Sequence, residues 1–234
     1  MLLASVILFS SCRFMGGKRV RGNGSIKTEE RNINDFKGVK TAGSFDVFVT
    51  TGDTYAVKVE ADDNLLQYIE TEVDGNNLHI KEADGFNLDP SKGVKIYVTA
   101  PVFNKFSTAG SGNISGSNQV ISDDRLNIDV AGSGNINLNV KASDIDASIA
   151  GSGNIALSGE TGSIKGSIAG SGDIRAKDLI AHKADVHIAG SGNAEVNADE
   201  ELSANIAGSG DVRYAGKPKT STRIAGSGSV KSLD

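Results

Sequence analysis

The chain has no tryptophan, one cysteine and three histidines in 234 residues. Each shortage excludes something. A lone cysteine, Cys12, forbids an internal disulfide. The lack of Trp, with Tyr214 the one aromatic from residue 109 onward, weighs against a sugar-stacking cleft. No basic cluster suggests nucleic acid as a partner and the formal charge is −5; the basic residues Arg13, Lys18, Arg19 and Arg21 read as part of a solvated linker. Asp123, Asp124 and Asp129 lack the glycine and carboxylate spacing of a calcium loop, so they read as a solvated turn. His182 and His187 lie five apart with Asp185 between them and read as surface side chains, and His79 is isolated. No metal, cofactor or catalytic residue is expected.

What is abundant is glycine, and it recurs on a period. Ala-Gly-Ser-Gly, followed by Asn, Asp or Ser, begins at Ala109, Ala131, Ala150, Ala169, Ala189, Ala207 and Ala225. Spacings near 20 residues suit one turn of a β-solenoid rather than a helical repeat. A seven-fold Gly-Ser-Gly is no nucleophile motif, since a nucleophile is needed once.

Around each copy the aliphatics alternate. Ile145, Ala147, Ile149, Gly151, Gly153, Ile155 and Leu157 share one side, and Asp146, Ser148, Ala150, Ser152 and Asn154 share the other. The phase predicts an aliphatic strand, a Gly-Ser-Gly corner, a second strand and a variable turn. Turns are expected at Lys141-Ala142-Ser143-Asp144, Gly159-Glu160-Thr161-Gly162 and Gly216-Lys217-Pro218. It also places both glycines of each motif inward as corner residues: Gly110 and Gly112, Gly132 and Gly134, Gly151 and Gly153, Gly170 and Gly172, Gly190 and Gly192, Gly208 and Gly210, Gly226 and Gly228.

Stacked coils then carry two outward ladders. One is Ser111, Ser133, Ser152, Ser171, Ser191, Ser209 and Ser227; the other is Asn113, Asn135, Asn154, Asp173, Asn193, Asp211 and Ser229. Amides of one kind can hydrogen-bond up and down such a column. The two aspartates never fall in adjacent coils, as a ladder about 5 Å per step requires. A feature present seven times reads as what holds the coils together.

The first third differs. Residues 36–105 hold nearly all the aromatics and read as an aromatic-richer β region, with Asp74-Gly75-Asn76-Asn77 a hairpin signal and Asp62-Asp63-Asn64 a cap for a helical turn at 65–69. Ala42-Gly43-Ser44-Phe45-Asp46-Val47 is a damaged copy of the repeat, so this region is expected to form the first, elaborated coils and to cover one open end. Residues 12–35 are polar and glycine-bearing and read as a tether. Before them, residues 2–9 are apolar but too few to span a bilayer, which suits a signal peptide over 1–11. Ser11 followed by Cys12 resembles the lipobox of bacterial lipoproteins; the resemblance implies a lipid on Cys12 and an extracytoplasmic, outer-membrane location, facing either the periplasm or the outside.

Two stretches resemble a known bacterial family. Thr41-Ala42-Gly43-Ser44-Phe45-Asp46-Val47-Phe48-Val49, with Val59-Glu60-Ala61-Asp62-Asp63-Asn64-Leu65-Leu66 and Ile69-Glu70-Thr71-Glu72-Val73, is similar to its N-terminal half, and the Gly-Ser-Gly-Asn-Ile copies to its C-terminal half. The family is the putative auto-transporter adhesin, head GIN domain, common in Bacteroidetes, and the likeness runs from about residue 22 to 230. It implies an all-β, β-helix-like extracytoplasmic domain, in which 36–234 is one continuous unit, and it supplies no catalytic motif.

The expectation is therefore an all-β parallel solenoid of about seven coils of 18–22 residues over 106–234, behind an aromatic-richer β region. Its role is non-catalytic: a lipid-anchored module that binds a protein or glycan by surface contacts, or an envelope structural protein. Two alternatives stand beside it. A polysaccharide-active β-helix enzyme would need clustered acids on one face, and the acids are scattered over turns. A self-assembling scaffold like the bactofilins would use open coil ends, which invite strand pairing.

Overall fold

The computed structural model describes residues 17–122 and 124–233; the expected signal peptide, Cys12 and Asp123 lie outside these. Among the described residues the chain is almost entirely β, with one short 3-10 turn at Leu66–Tyr68. The N-terminal strands are β1 (Lys18–Arg21), β2 (Ile26–Arg31), β3 (Gly38–Gly43), β4 (Asp46–Thr51), β5 (Ala56–Asp62), β6 (Ile69–Asp74), β7 (Asn77–Glu82), β8 (Phe86–Asp89) and β9 (Lys95–Ala100). The repeat supplies β10 (Lys105–Gly110), β11 (Asn113–Ile121), β12 (Arg125–Gly132), β13 (Asn135–Gly151), β14 (Asn154–Gly170), β15 (Asp173–Gly190), β16 (Asn193–Gly208), β17 (Asp211–Ala215), β18 (Lys219–Gly226) and β19 (Ser229–Ser232).

The repeat strands stack as parallel coils, each hydrogen-bonded to the coil before and after it. The motif side keeps perfect register: Ala131 pairs with Ala150, then Ala169, Ala189, Ala207 and Ala225. Coil lengths differ, so the surplus must go somewhere. It goes to the opposite side, where the register shifts between Ala156 and Ser158 and again between Ala176 and Ile180. The core between the two sides is aliphatic, with Ile149, Ile168, Ile188 and Ile206 in one buried column.

Two of the expected variable turns prove to be bends within unbroken strands. Lys141–Asp144 lies inside β13 and stays paired to β14. The other, Gly159-Glu160-Thr161-Gly162, lies inside β14, where Gly159 takes φ +108° and Thr161 Oγ1–H turns back to the carbonyl of Ser163. Gly216-Lys217-Pro218 is a true break, between β17 and β18.

The damaged motif copy is a coil of the same stack. β3 pairs in parallel with β10, placing Ala42 on Ala109 and Gly43 on Gly110, and β4 places Asp46 on Asn113. β7 and β9 extend these two columns by one more parallel step. The parallel ladder then stops, because β5 pairs antiparallel to β9, β2 antiparallel to β5, and β6 antiparallel to β7 through the two-residue turn Gly75-Asn76. Phe36, Phe45, Phe103 and Phe106 fill this end of the core and are fully buried.

The expected tether over 12–35 is corrected for its described part: residues 18–21 and 26–31 are strands. Their reason is edge satisfaction. Without β2 the outer edge of β5 has no partner, and β2 supplies a six-residue antiparallel ladder. Asp62 is corrected too. Its side chain caps no helical turn; it is fully buried and accepts Gly24 N–H at 2.7 Å, Ser91 N–H at 2.8 Å and Ser91 Oγ–H at 2.7 Å. Burial pushes its pKa up, but these hydrogen bonds together outweigh that and hold the carboxyl below the ordinary value.

Candidate functional site

The motif corner comes first, because everything outside it is positioned by it. In each corner the backbone N–H of the serine donates to the first glycine's carbonyl one coil back, as Ser152 N–H does to Gly132 O at 2.9 Å. The two glycines are not equivalent, which corrects the reading that both face the core. The first is half-exposed or exposed and adopts positive φ, from 115° at Gly110 to 137° at Gly226. The second is buried in every copy but the last. What both exclude is a side chain along the stacking axis: a Cβ on Gly151 would lie 2.4 Å from Gly132 O, and one on Gly153 2.1 Å from Gly134 O.

The amide column is a continuous hydrogen-bonded ladder. Asn113 Nδ2–H donates to Asp46 at 2.8 Å, Asn135 Nδ2–H to Asn113 at 2.9 Å, and Asn154 Nδ2–H to Asn135 at 2.8 Å. An aspartate side chain can accept but not donate, so each one is followed by a donor. Asn193 donates to Asp173 through both backbone and side chain at 3.1 Å, and Ser229 does the same to Asp211 at 2.8 Å. Those bonds from Ser229, with smaller contributions from Lys231 and Arg213, hold the Asp211 carboxyl below its usual value. The serine column works differently from expectation: among the described residues its hydroxyls do not bond along the column, and the backbone N–H groups make the links. The amide side chains and the serine backbone N–H groups thus hold the coils together.

The titratable candidates separate in space. His182 Nδ1 meets Asp199 at 3.1 Å, not His187. His187 Nδ1 lies 3.5 Å from Asp185. Asp129 is paired with Lys105 at 2.9 Å. His79 lies on β7 between Lys40 and Glu72 of the neighbouring strands. Sequence spacing gave no sign of the grouping of His182, Asp199 and Glu200, whose ligand atoms lie within 4.8 Å of one another and could hold a cation. All three are exposed, and Asp199 raises the His182 pKa by hydrogen bonding and charge.

A long concavity lies elsewhere. A groove of about 850 Å³ runs along the outside of the solenoid across six coils. One wall is the column Asp129, Ser148, Ser167, His187, Asn205 and Arg223; the other is the exposed alanine column Ala131, Ala150, Ala169, Ala189, Ala207 and Ala225. The floor is the strand between them, whose Val or Ile side chains point inward in all but the last coil. The groove is straight because the motif side is the one in strict register. The motif's own first residue, Ala, was its signal in the sequence: outward in phase and too small to fill the space beside it.

Comparison with known proteins agrees with this architecture. A crystal structure of a putative lipid binding protein from Parabacteroides distasonis is 31% identical, with a TM-score of 0.77, covering 93% of this chain and all of that one. A putative adhesin from Bacteroides fragilis superposes with a TM-score of 0.85 at 22% identity, over 92% of this chain and all of its own. A putative adhesin from Parabacteroides merdae gives 0.72 at 21% identity, over 93% of this chain and all of its own. No curated protein matches the chain. The profile of the putative auto-transporter adhesin, head GIN domain, matches residues 35–218, across both the aromatic-richer region and the repeat. The chain belongs to that family.

Proposed function

We propose that the protein is a non-catalytic binding module, held at the outer membrane by a lipid on Cys12, that engages its ligand through the outer face of the solenoid. One observation carries the binding reading: the outer face of the solenoid carries a long groove with one alanine wall, and its few titratable groups do not meet. Asp129 and His187 are three coils apart, about 14 Å at the β spacing, and each already has a partner. Paired acid–base chemistry on a glycan needs groups closer than about 10 Å. The family's adhesin description and the 31% identical protein described as lipid binding support a surface-binding role.

Labelling with radioactive palmitate in a bacterial host tests the anchor. Label on the full chain and none on Cys12→Ala is expected; an unlabelled chain would sink the anchor. Screening uronate and neutral glycans tests the absence of catalysis. Turnover abolished by a single Asp or Glu substitution would replace the binding reading with an enzymatic one.

A further inference from the structure

We infer that the outer groove takes the extended acyl chain of a single-chain anionic amphiphile, with its charged end on Arg223. The inference rests on the binding reading above and adds the ligand's class and direction. Three features select this occupant.

The first is length and shape. Five coil spacings separate the Asp129 and Arg223 ends, about 24 Å at the β repeat, in a straight line without a bulge. That is the form of an extended long-chain acyl group. The second is the scarcity of polar partners, which are confined to the one wall that carries Ser148, Ser167, His187 and Asn205. Strands cross the groove, so a peptide lying along it could not add to the sheet, and those of its N–H and C=O groups that face the alanine wall would meet only methyls. A methylene chain has no such groups to satisfy. A sugar would face the same methyls and no aromatic ring.

The third is charge. Along the groove wall Asp129 is neutralised by Lys105, and His187 lies beside Asp185. Arg223 has no ion-pair partner among the described residues, whereas Arg213 on β17 pairs with Glu195 at 3.6 Å. At this end of the groove the Arg223 guanidinium, without an ion-pair partner among the described residues, suits a carboxylate or sulfate head through paired N–H donors.

Calorimetric titration of the full chain with palmitate, kept below its aggregation threshold, tests this. Saturable one-to-one binding is expected. Arg223→Ala should weaken it by about five- to tenfold, the scale of one exposed charge-assisted contact. Ala169→Glu, an exposed site in mid-groove, should abolish it, and Ser171→Glu, the same charge on the neighbouring corner, should leave it unchanged. Circular dichroism of each variant separates lost binding from lost fold. Hexadecyltrimethylammonium of the same chain length should bind more weakly than palmitate. Equal binding of that cation, still abolished by Ala169→Glu, would keep the groove as a binding site and overturn the anionic assignment. Palmitate binding indifferent to Ala169→Glu, or association only with phosphatidylglycerol vesicles, would overturn the groove as well.

Discussion

Gly153 rests directly on the carbonyl of Gly134: a Cβ at Gly153 would lie 2.1 Å from that oxygen and 2.6 Å from Val130 Cγ1. Neither obstacle can move without opening the stack. Gly153→Ala should therefore cost about 3 kcal/mol or more, above the usual range for overpacking because backbone is struck. Gly166→Ala is the contrast. Its Cβ would meet only Ile174 Cδ1, at 3.2 Å, the movable end of a side chain, so a change within about 1 kcal/mol is expected. Urea unfolding of the two variants measures the difference.

The amide ladder constrains charge order. Asn193 donates to Asp173 below it and accepts from Asp211 N–H above it. Asn193→Asp would remove one donor and set three carboxylates in consecutive coils. A loss of about 1–2 kcal/mol at neutral pH is expected, shrinking as the pH falls through the carboxylate range. Asp173→Asn keeps an acceptor and adds a donor toward Asn154, and should be neutral or slightly stabilising. Thermal melts at two pH values separate these outcomes.

Two of the three depressed carboxyls among the described residues, the third being the exposed Glu30 beside Lys58, predict the acid limb of stability. Asp62 and Asp211 both have folded values below their unfolded ones. Each stabilises the fold above the unfolded pKa of about 3.9, and that contribution is lost as the pH falls through the folded value. Asp62→Asn should flatten the acid limb. It should also cost about 2 kcal/mol at neutral pH, since a buried amide cannot accept all three donors. Stability measured from pH 7 to pH 2 checks both statements.

The N-terminal strands are structural, not a spacer. Deleting residues 18–31 exposes the β5 edge, frees the Leu66 carbonyl from Arg31, and strips Gly24 from Asp62. A loss of about 3 kcal/mol or more, with aggregation visible by light scattering, is expected. A deletion that melts like the full chain would restore the tether reading.

The repeat made the solenoid legible because its period-two phase ran unbroken through the glycines. The ladder was legible for a related reason: Asp173 and Asp211 alternate with donors in the sequence itself. The N-terminal strands were not, since Lys18–Arg21 and Ile26–Arg31 are exposed edge strands with no hydrophobic alternation, and their partners lie tens of residues away. Asp62 was misread because a carboxylate beside a turn looks like a cap until its distant donors at Gly24 and Ser91 are known. The groove was hidden for a different reason. It is built from what the alanine column lacks, and a missing volume shows only when six coils are aligned.

Photo-crosslinking locates the ligand most directly. A palmitate carrying a diazirine at its ω end is expected to label the groove wall toward Ser148 and Ser167, away from Arg223, and to lose that label in Ala169→Glu. Labelling confined to residues 36–105 or to the Gly-Ser-Gly corners would contradict a binding face on the outside of the coils.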